Sequence, residues 1–245
     1  MAPPLIGFGA VELVRATFRT AAIQGRKRFW FLLVTAVIVF VPLGFLGHFD
    51  NGVEFDTDDP ARWDHLLTAL ALTLTALLGE LFYAGAVASA VAAGPEFKPS
   101  LGAMLRHTPW LVILTIDVVF SFSVAFGLVL LLVPGVMIYA RWVLAATVAD
   151  IDHVGVREGF RTSAALTKGH RWAVGGVMFA VVFVSSLIEE LIQHLADVTE
   201  GEGFLADWTS GSVSAILLSP IFALLCAAFV LELRARKEPA AAESS

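Results

Sequence analysis

The stretch "VPGVMIYARWVLAATVAD", residues 133–150, places one arginine, Arg141, inside an otherwise apolar run. A guanidinium is charged at every accessible pH, so its position has to be explained by what surrounds the run. Outside this stretch the chain is strongly apolar: 58% of its 245 residues are hydrophobic and only 16% charged. An ordinary soluble domain is nearer half apolar and a quarter charged. The apolar residues are gathered into long runs, which reads as an integral membrane protein rather than soluble domains. The first run starts after Arg28 and no clear cleavage site follows, so it reads as a retained anchor. The single cysteine, Cys226, offers neither an intrachain disulfide nor a cysteine-rich metal site.

A transmembrane helix needs about 20 mostly apolar residues. Six segments meet that length or approach it: Phe29–Gly47, Leu66–Ala93, Trp110–Leu132, Pro134–Ala149, Trp172–Ile192 and Ser212–Leu231. The fourth is the shortest and follows the third across "LVPG", a turn signal, so the two read as a tight helical hairpin. The alternative is one long broken helix, which leaves five spans.

The connections between these runs alternate in charge. Residues 1–28, 94–108, 150–171 and the tail from Glu232 hold fourteen of the sixteen Lys and Arg. The other connections, "HFDNGVEFDTDDPARWDH" and "EELIQHLADVTEGEGFLADWTSG", carry six acids each and between them only Arg62. Basic loops stay in the cytoplasm, so the expected fold is all-α, with six transmembrane helices in three hairpins and both termini inside. The expected organisation is a cytoplasmic amphipathic and basic segment over 1–28, a transmembrane domain over 29–235, and a disordered cytoplasmic tail over 236–245. The expected location is a prokaryotic inner cell membrane.

Two cytoplasmic segments are amphipathic. "FGAVELVRATFRTAAIQGRKRFW" sets Val11, Val14, Phe18 and Ala22 on one helical face. "GVREGFRTSAALTKGHRW" does the same with Val156, Phe160, Ala164 and Thr167, and it stops at Gly169. Both contain "FRT", then small residues, a glycine, basic residues and a tryptophan. Trp30, Trp110 and Trp172 each open a run from the basic side, where an indole fits the interface.

"LLLVPGVMIYARWVLAATVADIDHVGVREGFRTSAALTKGHRWAVGG" resembles the core of the family called the membrane domain of glycerophosphoryl diester phosphodiesterase. The likeness lies in Pro134, Gly135, Arg141, Trp142, Ser163, Leu166, Thr167, Lys168, Gly169 and Trp172, over about 45 residues. It implies a six-helix membrane domain that is sometimes fused to a catalytic barrel. The chain has no room for that barrel and shows none of its motifs, so the resemblance does not carry the enzyme activity with it.

Charges inside apolar spans cost about 2.5–3.5 kcal/mol each at the centre and usually face the bundle beside a partner. The candidates are Glu80, Asp117 and Arg141. At 1.5 Å per residue, Glu80 lies about 21 Å beyond Leu66, Arg141 about 13 Å from Asp150, and Asp117 about 10 Å past Trp110. The expectation is an ion pair of Arg141 with Glu80, or else with Asp117. Arg15, Arg19, Arg157, Arg161, Lys168 and Arg171 form a basic inner surface suited to anionic lipid headgroups.

Metal chemistry finds little support. The acids Asp50, Glu54, Asp56, Asp58 and Asp59, with Asn51, lack calcium-loop spacing, and Glu190 with His194 lacks a third ligand. No metal, cofactor or nucleic-acid partner is expected, and the compact set Asp150, Asp152 and His153 is the only feature for an enzyme. The expected function is a non-catalytic membrane scaffold or accessory domain acting on lipids or partner proteins. The alternative is a small transporter or channel using Glu80, Asp117 and Arg141.

The charge alternation makes a topology prediction. Cysteines placed at Asp56 and Glu202 should label from outside, and at Gly94, Gly159 and the tail only after permeabilisation. Labelling of the Gly159 site from outside would discard the hairpin at Pro134 in favour of five spans.

Overall fold

The computed structural model describes residues 6–51, 63–93, 109–130, 132–200 and 204–242. The acid-rich segment 52–62, named above for its calcium-like oxygens, lies outside the described residues. The described elements are all helical. They are α1 (Ile6–Lys27), α2 (Phe29–Asn51), α3 (Trp63–Ala92), α4 (Trp110–Leu130), α5 (Leu132–Trp142), α6 (Ala145–Asp152), α7 (Val156–Leu166), α8 (Arg171–Glu200) and α9 (Phe204–Ala242). Helix α9 continues through most of the segment expected to be a disordered tail.

Three helices carry a stretch long and apolar enough to cross a membrane: Trp110–Gly127 in α4, Arg171–Ala196 in α8 and Trp208–Lys237 in α9. A fourth is added when the pair α1–α2, bent by 81°, is taken as one span. Over the described residues α3 offers only the shorter apolar stretch Leu78–Ala92. Helix α5 has eleven residues, about 16 Å at 1.5 Å per residue, against an apolar layer of about 30 Å. The structure therefore supports three or four candidate spans, and an apolar surface that indicates a membrane location. Helix α8 exposes Phe179, Phe183, Leu187, Leu191 and Leu195, a face that water would not tolerate and lipid would.

Helix α9 is the centre. All eight residues from Ala223 to Val230 are buried. At 3.6 residues per turn that run covers every side of the helix, so neighbours must enclose it. They are α1, α2, α3 and α8, with a smaller contact from α6. Close approach is set by small residues. A Cβ on Gly44 of α2 would lie 2.2 Å from Ser212 Oγ and 3.0 Å from the Ser212 nitrogen, and one on Gly175 of α8 would lie 2.4 Å from Ala140 Cβ. Trp208 Nε1 donates to the Val41 carbonyl at 2.9 Å, tying the start of α9 to α2.

Helix α1 shows three faces. Leu13, Thr17 and Ala21 are buried against the bundle, and Thr17 is satisfied by the Leu13 carbonyl at 2.9 Å. Val11 and Phe18 are 62% and 47% exposed, while Arg15 and Arg19 lie exposed beside them. Of the face read from the sequence, Val11, Phe18 and Ala22 are left uncovered and Val14 is half-buried. The stripe that binds the bundle is a different one.

The stretch around Arg141 is broken. Helix α5 ends at Trp142, residues 143 and 144 form a turn, and α6 begins at Ala145. Helix α6 is capped by His153, whose φ of 51° is left-handed and reverses the chain toward α7. Helix α7 returns alongside, where Ser163 Oγ donates to the Arg141 carbonyl at 3.0 Å. The Trp142 and Phe160 rings lie 4.9 Å apart. Gly169, with φ of 91°, then turns the chain into α8.

The Gly44 contact predicts that Gly44→Val costs about 1–3 kcal/mol through overpacking against the backbone of α9. Gly9→Val at the open surface of α1 has nothing within 4 Å to meet. Melting temperatures of the two variants in detergent should differ sharply, and equal values would refute the close α2–α9 contact.

Candidate functional site

The three charges singled out inside the apolar runs do not come together as expected. Arg141 is exposed and sits in the last turn of α5. Among the described residues no ion pair joins it to Glu80 or Asp117. The physical reason is local. The helix ends one residue later, so the guanidinium stands at a helix C-terminus, where the macrodipole favours a cation without a carboxylate partner. The freed Arg141 carbonyl is taken up by Ser163 and by Thr167 Oγ1 at 3.4 Å.

Glu80 instead feels like charge from two other acids. Asp117 on α4 and Glu189 on α8 lie close enough to act on Glu80 of α3 through charge. Among the described residues α3 touches α4 chiefly where Phe82 and Trp110 stack at 5.6 Å. Contacts of α8 with α3 or α4 are sparser still. The three carboxyl groups come from three different helices. Glu80 and Glu189 are exposed and Asp117 half-buried. Glu189 is the member that sequence reading assigned to the outer loop rather than to this set.

The basic candidates stand at the surface. Arg15, Arg19, Arg157, Arg161 and Lys168 are exposed. Arg171 is half-buried, and its Nε has no hydrogen-bond partner. Arg161 also pairs with Glu158 at 2.7 Å on α7. The basic end of α9 is different: it clamps other helices. Arg234 pairs with Asp152 of α6 at 2.5 Å, Arg236 donates to the Gly9 carbonyl of α1 at 3.4 Å, and Lys237 donates to the Ala165 carbonyl of α7. Thr20 of α1 completes the set by donating to Glu232 at 2.6 Å.

Asp150 is the most deeply placed carboxyl described, 2% exposed. Its Oδ2 accepts from Ser89 Oγ at 3.1 Å, while Oδ1 is buried without a partner. Helix α3 comes close because Gly85 has no side chain; a Cβ there would lie 3.4 Å from Oδ1. Burial pushes the Asp150 carboxyl up to about 6, against the smaller opposing effects of Ser89 and His153. Sequence reading placed Asp150 with Asp152 and His153 as a compact set. The structure separates their roles: Asp152 is held by Arg234, and His153 forms the turn.

Glu190 and His194 are both exposed, and no group of three metal-ligating side chains occurs among the described residues. Cys226 is a free thiol buried in α9, within hydrogen-bond reach of Thr147 on α6. No family model, curated protein or solved structure matches this chain.

The raised Asp150 carboxyl predicts a pH-dependent stability. Its usual value is 3.8, so the packed state holds the proton better than the unfolded chain does. The contribution is complete below pH 3.8 and is lost as pH rises through about 6. The loss by pH 7.5 is up to about 3 kcal/mol, at about 1.4 kcal/mol per pH unit. Asp150→Asn should remove this slope and be the more stable form at pH 7.5. Denaturation from pH 4 to pH 8 checks this, and parallel curves for the two proteins would refute it.

Proposed function

We propose that this chain is a six-span protein of a prokaryotic cell membrane, both termini in the cytoplasm, related to the stand-alone membrane domains named above. In this reading it is non-catalytic and acts as a scaffold or accessory domain at the inner leaflet, engaging anionic lipid headgroups and partner proteins. The observation that supports it is the surface of α1. Exposed Val11 and Phe18 adjoin exposed Arg15 and Arg19, which is the pattern of a helix lying in an interface with its cations among phosphates. Helix α7 adds Arg157 and Arg161 on the edge turned from its buried Gly159, Ser163 and Ala164. Replacing Arg15 and Arg19 with Gln should weaken anionic-lipid retention by about thirtyfold, at about 1 kcal/mol for each cation. Native mass spectrometry of the purified protein with phosphatidylglycerol measures this. Retention equal to wild type would remove lipid engagement from α1.

A second reading, a small cation transporter, is favoured by the like charge that Asp117 and Glu189 bring to Glu80 from two other helices. Carboxyl groups gathered within spans mark ion or proton pathways. Flux measured in proteoliposomes separates the two readings: the scaffold passes nothing, and the transporter loses its flux in Glu80→Gln.

A further inference from the structure

The turn between α7 and α8 meets the end of α9, and both are basic. Lys168 and His170 flank Gly169, whose φ of 91° makes the bend, and Arg171 opens α8. Lys237 donates to the Ala165 carbonyl in the last turn of α7, and Arg236 donates to the Gly9 carbonyl of α1 at 3.4 Å. These anchors bring Lys237 within charge range of Lys168, and both Arg236 and Lys237 within charge range of His170. Burial first, then this like charge, holds the His170 imidazole below its ordinary value.

Bringing like charges together is unfavourable. Among the described residues no carboxylate pairs with Lys168, Arg171, Arg236 or Lys237. Asp152 and Glu232 are taken by Arg234 and Thr20. The C-terminus of α7 supplies about half a negative charge, against three permanent cations. Cations that only marked one side of a membrane could stand apart in water, whereas Arg236 and Lys237 are tied to two other helices in spite of the repulsion. Donors also remain to be used. Arg236 and Lys237 each give one N–H to a carbonyl and keep the rest. Lys168 is exposed, and His170 Nδ1 and Arg171 Nε are buried without a partner. A guanidinium N–H buried without an acceptor is costly, so the cluster lacks a negatively charged acceptor.

We propose that Lys168, His170, Arg236 and Lys237 form an anion site for a phosphate monoester, with Arg171 at its edge. A monoester carries about 1.5–2 negative charges near neutral pH and three acceptor oxygens. That answers three permanent cations better than the single charge of a diester. Helix α8 starts beside His170, and its first N–H groups, which have no partner within the helix, add to the same positive field. The monoester is either the headgroup of a lipid or a small soluble phosphate. The lipid source rests on the headgroup engagement proposed above; the site itself does not.

The test uses full-length protein in detergent. Native mass spectrometry compares phosphatidic acid with phosphatidylglycerol, and calorimetric titration uses inorganic phosphate. Wild type should retain phosphatidic acid at least about tenfold better than phosphatidylglycerol, or else bind inorganic phosphate. Lys168→Gln combined with Lys237→Gln should weaken whichever binding is seen by about thirtyfold. Lipid preference without phosphate binding assigns the lipid source, and phosphate binding assigns the soluble one. Equal retention of the two lipids with no phosphate binding overturns the site, as does binding that the double variant leaves unchanged. Arg15→Gln with Arg19→Gln separates the two claims. It should lower retention of both lipids and keep the preference between them; if it lowers neither, engagement by α1 falls while the preference still upholds the site. Lys237 also holds α7, so where the double variant does not fold, Lys168→Glu replaces it. Charge reversal there breaks no hydrogen bond among the described residues and should abolish the binding, and unchanged binding overturns the site.

Discussion

The burial of α9 from every side is the constraint on which the rest depends. Eight consecutive residues, Ala223 to Val230, have no exposed face, so α1, α2, α3, α6 and α8 take their positions from the surface α9 offers them. Small side chains make this possible. Ala223, Ala227 and Ala228 let neighbouring helices approach, and Gly44 does the same from the side of α2. In a bilayer the apolar effect does not drive helices together, so close packing of small residues and interhelical hydrogen bonds such as Trp208 to Val41 carry the association.

Beyond this enclosed segment α9 changes character. Its basic end holds α1, α6 and α7 through Glu232, Arg234, Arg236 and Lys237. These contacts place the α6–α7 reversal, and with it Asp150, against Gly85 and Ser89 of α3. The residues that give the last connection its basic charge are thus also those that assemble the polar end of the bundle. A surface ion pair contributes little by itself, but three cations within about one turn of α9 fix the register of three helices against one.

Arg141 illustrates how a local break changes the meaning of a charge. In an unbroken helix it would stand in apolar surroundings and need a carboxylate. The end of α5 at Trp142 instead gives it a helix C-terminus and an exposed position, and its carbonyl finds Ser163 and Thr167. The acids it was expected to neutralise are left without it, and Glu80 feels the like charge of Asp117.

The sequence by itself determined the all-helical class, the apolar character, the amphipathic faces of α1 and α7, and the breaks at Arg28 and Gly169. Periodicity, charge and glycine act within a few residues, so they can be read in one dimension. It did not determine which stripe of α1 binds the bundle, since Leu13, Thr17 and Ala21 look no more apolar than Val11 and Phe18. Nor did it show that Glu189 joins Glu80 and Asp117, or that Asp150 is enclosed while Asp152 is paired. Those depend on which helices meet and at what register, and residues more than sixty positions apart, such as Ser89 and Asp150, are brought together only by the way the helices pack around α9.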